Sequence, residues 1–145
     1  MYKHILIPTD GSDLSKTAVQ HGVQLAKAVN AKVTGVTVTA PFHIFAVEPM
    51  MVTDTPEVYN KHVASRAAKY LGEVKAAALA EGVSCDVLTM ERDHPYEAII
   101  EAATDQHCDL IVMASHGRRG ISALVLGSET VKVLTHSAIP VLVYR

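Results

Sequence analysis

The chain has 145 residues, 49% of them hydrophobic and 19% charged, with a formal net charge of -2 at pH 7. That length suits one domain, expected over residues 1–145, with a core that needs no staples, and the apolar content excludes a disordered chain. Scattered Lys and Arg leave no footprint for nucleic acid, and no apolar run approaches the roughly 18 residues of a membrane-spanning helix.

The elements alternate along the chain. His4 to Pro8 is a short, almost continuous apolar run, as in a strand covered on both faces. Asp10 to Asp13 turns the chain, and Ser12 or Asp13 can cap a helix that runs to about Val29. Lys32 to Thr39 is rich in β-branched residues and reads as the second strand. Residues 40–56 hold three prolines and no clean period, with Met50-Met51 reading as a mobile flap or partner surface, or as a cap on the core. Pro56 opens a long helix with Val63, Ala67, Tyr70, Val74 and Ala77 at helical spacing, stopped by Gly82. Cys85 to Met90 is a third strand, Tyr96 to Gln106 a helix, and Leu110 to Ala114 a fourth strand. A glycine-rich loop over 115–127 then leads to a helix from Ser128 to His136 and a last strand from Pro140 to Tyr144.

This βαβαβαβαβ order predicts an α/β, Rossmann-like fold. Its five-stranded parallel sheet, of strand order 3-2-1-4-5, has helices on both faces. Ligands in such sheets bind beyond the carboxyl ends of the strands, where the order reverses. The opening MYKHILIPTDG lacks the pattern of a signal peptide, so a cytoplasmic location is expected. The two cysteines, Cys85 and Cys108, read as buried thiols. None of the eight histidines has zinc-ligand spacing.

Three segments fall on the rim: Pro8-Thr9-Asp10, Val38, and residues 114–130, which read ASHGRRGISALVLGSET. In the third, Gly117, Gly120 and Gly127 allow close backbone approach, and Gly127-Ser128 opens a helix whose free amides suit a phosphate. Arg118 and Arg119 add positive charge. No GxxxxGK[ST] occurs, and no GxGxxG follows the first strand, which disfavours P-loop and dinucleotide chemistry.

At these residues the chain resembles the universal stress protein family, in its single-domain, nucleotide-binding form. The family signature G-x2-G-x9-G-[ST] aligns with Ala114-x2-Gly117-x9-Gly127-Ser128, and HILIPTDGS and IPVLVYR extend the likeness to both ends. Ala114 stands where the family has glycine; alanine is small, but a positive φ there would cost about 1 kcal/mol or more. The resemblance implies an adenine nucleotide, ATP with Mg2+ or Mn2+. Pro8, Thr9 and Asp10 would line its ribose and phosphate side, with Asp10 near the metal ion. Val38 would touch the adenine. Met113, Ala114 and Gly117 would flank the ribose and phosphates, with Gly127, Ser128, Glu129 and Thr130 on the phosphates. Glu129 would contribute its backbone only.

The same residues have plainer readings. Asp10 can make an Asx turn, the glycines can serve tight turns, and Ser128 and Thr130 suit any helix start. His116 can bond within its loop. No general base and no lysine at a γ-phosphate is evident, so no catalytic residue is assigned and at most slow ATP hydrolysis is expected. The apolar last strand lies at a sheet edge, and both that edge and the resemblance imply a homodimer through it. The alternative function is a dimeric interaction protein of the same fold that binds no nucleotide.

Overall fold

Ile5 and Ile7 alternate with Leu6, so successive side chains of the first strand enter opposite faces of the sheet, and all three are fully buried. A computed structural model describes residues 1–42, 55–118 and 125–145. Met50, Met51, Arg119 and Gly120 lie outside the described residues. The elements are β1 (His4–Pro8), α1 (Asp13–Val29), β2 (Lys32–Thr39), α2 (Pro56–Glu81), β3 (Cys85–Glu91), α3 (Pro95–Asp105), β4 (Leu110–Ala114), α4 (Ser128–His136) and β5 (Val141–Tyr144). The sheet is parallel, in the expected order β3-β2-β1-β4-β5.

Helices cover both faces. On one, Val19 and Val23 of α1 and Val74 and Ala78 of α2 pack on Ile5, Ile7, Val33 and Val112. On the other, Ile99 and Ala102 of α3 and Val133 of α4 pack on Leu6, Val36, Ile111 and Met113. β3 runs on past Met90 to Glu91, because Thr39 still pairs with it and accepts a hydrogen bond from the Arg92 amide. α3 begins at Pro95, whose missing N–H costs nothing in a first turn. Cys85 is half-buried and Cys108 buried, both free thiols; burial pushes Cys108 up to about 11. Among the described residues no helix is long and apolar enough to cross a membrane.

Candidate functional site

The turn after β1 is held from inside. Thr9 is buried; its amide donates to the Val36 carbonyl at 2.9 Å, and its hydroxyl bonds Ser15 Oγ at 2.9 Å and accepts from the Gly11 amide. Gly11 has φ 77°, and an added Cβ there would collide with the Tyr70 ring of α2. Ser12 caps α1, its Oγ accepting from the Ser15 amide.

Asp10 joins this turn to the loop after β4. One carboxylate oxygen accepts from the Ser12 amide at 3.0 Å, the Asx turn foreseen from sequence. The other accepts from the Arg118 amide at 2.8 Å. Burial alone would raise the Asp10 pKa. The Ser12 hydroxyl and amide, the Arg118 amide and the Arg118 charge outweigh it and hold the carboxyl below its ordinary value. Gly117 is part of this clamp, since a Cβ there would collide with the Asp10 carboxylate. The Arg118 guanidinium is exposed and lies over the Tyr70 ring, 6.0 Å from its centroid.

Ala114 ends β4 in extended backbone; the only non-glycine residues with positive φ among those described are Asn30 and His107. The alanine therefore carries no left-handed penalty. Its carbonyl accepts from the Thr130 hydroxyl at 3.1 Å, and the Ser115 carbonyl accepts from the Gly127 amide at 2.8 Å. Two bonds thus fix the start of α4 against the end of β4. Gly127 precedes α4 with no side-chain cap, and the first helical bond runs from the Val131 amide to the Gly127 carbonyl. The amides of Ser128, Glu129 and Thr130 have no acceptor among the described residues, so they carry the open positive end of the helix.

Val38 presents a second open pair. In a parallel strand, alternate residues turn both backbone groups to the same neighbour. Val36 faces β1, accepting from Thr9, whereas Thr39 faces β3, accepting from Arg92. By that alternation Val38 faces β1, which has already ended at Pro8. Among the described residues neither its N–H nor its C=O has a partner.

The remaining expected residues divide by burial. Pro8 is half-buried opposite Val36, while Met113 is buried against the α3 and α4 face. His116 bonds the Ser115 hydroxyl through Nδ1 at 3.2 Å. The Glu129 carboxylate turns away to the Tyr96 amide of α3, at 2.9 Å. Among the described residues no three His, Cys, Asp or Glu side chains gather as a metal cage. Asp10, with a spare lone pair on each oxygen, fits a metal ion only as one ligand beside others brought on phosphates. The sequence placed Tyr70 in the apolar stripe of α2 and Tyr96 at the start of α3, but assigned neither to the rim, where Tyr70 is the ring under Gly11. The signal for Tyr96 was a helix opening at His94-Pro95 without a capping side chain.

Comparison with known proteins agrees with this architecture. The sequence model of the Universal stress protein family matches residues 1–145. A universal stress protein of Thermus aquaticus is 34% identical over the full length of both chains. One from Methanocaldococcus jannaschii is 33% identical, across all of this chain and 83% of its own. A universal stress protein crystallised in complex with cAMP superposes with a TM-score of 0.72 at 27% identity, over 99% of this chain and 97% of its own. Family match, identity and sheet order coincide, and the chain belongs to the universal stress protein family.

Proposed function

We propose that this protein binds an adenine nucleotide across the carboxyl ends of β1, β2 and β4. The observation that supports this most is the N-terminus of α4, three amides without acceptors behind an uncapped glycine. Phosphate oxygens suit that arrangement, because they supply both the acceptors and the negative charge that the helix end lacks. Val38 complements it, since an unpaired N–H and C=O match the acceptor N1 and donor N6 of an adenine edge. The universal stress protein crystallised with cAMP, an adenine nucleotide, supports this ligand class.

The ligand proposed is ATP with Mg2+ or Mn2+, Asp10 being the carboxylate nearest the loop that would carry the phosphates. The site proposed is residues 8–10, 38, 113, 114, 117 and 127–130, in which Thr9 and Thr130 hold the frame through bonds of their own. Among the described residues no lysine stands at the open end of α4, and the reading is one of binding, with at most slow turnover.

The assembly proposed is a homodimer through β5. Its edge is apolar, with Leu142 47% exposed, and α4 also exposes Val131 and Leu134, whereas the opposite edge, β3, exposes Asp86 and Glu91. Sedimentation that finds only monomer at micromolar concentration would overturn it.

Isothermal titration of nucleotide-free protein with ATP and Mg2+, then AMP, cAMP and adenosine, tests the nucleotide reading. Saturable heat with ATP supports it. Silence across all four ligands contradicts it and leaves a dimeric interaction protein.

A further inference from the structure

Helix α3 opens at His94-Pro95 and has no side-chain cap of its own. Its acceptor comes from another helix: Glu129, in the first turn of α4, receives the Tyr96 amide on Oε2 at 2.9 Å. The other carboxylate oxygen pairs with Lys132, one turn along α4, at 3.1 Å. Lys132 in turn lies over the Tyr96 ring at 5.5 Å, and that ring packs against His136 at 5.4 Å. One residue therefore has its backbone amide at the open end of α4 and its side chain at the closed end of α3.

We infer that Glu129 is a positioning residue for the phosphate-binding amides, an inference that rests on the nucleotide reading. A carboxylate free in the first turn of α4 would itself be drawn to that helix end, where it would compete with the ligand's phosphates. Its bond to Tyr96 and its pairing with Lys132 direct the charge elsewhere and tie the first turn of α4 to a helix packed on the sheet. Two helix N-termini thus divide their anions: α3 takes one from the protein, and α4 is left for the ligand.

Titrations with ATP and with adenosine on wild type, Glu129→Ala and Glu129→Gln, together with exchange of the Tyr96 amide in ligand-free protein, test this. Alanine removes the carboxylate's charge as well as its tie to α3; the lost tie dominates, which predicts faster Tyr96 exchange and ATP affinity lower by about three- to tenfold in Glu129→Ala, with a smaller change for adenosine. Glutamine keeps an acceptor oxygen and should restore both toward wild type. A Glu129→Ala protein that binds ATP as tightly as wild type, loses ATP and adenosine affinity equally, or keeps Tyr96 protected would overturn the inference alone. Wild type that binds no ATP would overturn the nucleotide reading and this inference with it.

Discussion

Helices α1 and α4 begin at the same end of the sheet, after the neighbouring strands β1 and β4, yet their first turns are built oppositely. α1 has Ser12 as cap, Asp13 in its first turn and the Asp10 carboxylate on the Ser12 amide. α4 has Gly127 as cap residue, no capping side chain, and a first-turn acid whose carboxylate is held by another helix. The two ends offer the same backbone groups, so the difference lies in what surrounds them. An anion arriving at α1 meets carboxylates already in place, whereas α4 presents amides and a positive helix end alone. Similar geometry thus yields one end closed by its own side chains and one end left open, the end proposed for the ligand.

The contrast can be broken from the α1 side most severely at Gly11. Gly11→Ala combines a positive φ with displacement of the Tyr70 ring, and urea denaturation should show a loss of about 3 kcal/mol. Giving α4 the kind of cap that α1 has comes next. Gly127→Asp adds a carboxylate at the amides proposed for the ligand, and a Cβ packed tightly against His116 and the Ser115 carbonyl, and calorimetry should show ATP affinity reduced by about tenfold or more. Ser12→Ala sharpens the comparison from the other direction: thermal or urea unfolding should report about 1 kcal/mol of lost stability, with ATP affinity changed far less than in Gly127→Asp.

The smallest effect is a matter of pH, at the far end of β1. His4 is buried, its Nε2 bonding Thr34 Oγ1 at 2.7 Å. Burial and the Lys32 charge lower its pKa, against the opposing pull of the Gln106 carbonyl, Asp109 and Asp86. The unfolded chain takes this proton at about pH 6.5 and the folded chain only at lower pH. The stability that neutral His4 contributes is thus complete above that value and is lost as pH falls toward the folded pKa. Unfolding measured at about pH 7 and about pH 5 should show this loss in wild type and a smaller one in His4→Gln.

Much of the fold was legible because its signals are local. Buried runs such as LIVMA, Pro56 and Gly82 around α2, and Ser12 before α1 each declare their element within a few residues. The rim was legible through its glycines and the family signature. Its wiring was not, because it depends on distant pairs. Asp10 meets the Arg118 amide across 108 positions, and Glu129 caps Tyr96 across 33. The open backbone of Val38 depends on β1 ending opposite Val36, a register no local pattern specifies. Ala114 was likewise undecidable from residue type alone, since its cost depends on a φ that the extended end of β4 makes harmless.

Amide spectra of nitrogen-15-labelled protein titrated with ATP and Mg2+ test the central claim most directly, because they report each helix end separately. Saturable shifts at Ser128, Glu129, Thr130 and Val38, with Asp13 and Leu14 of α1 little changed, are the predicted result. Shifts centred on the first turn of α1, or none at α4 at saturating ATP, would contradict it.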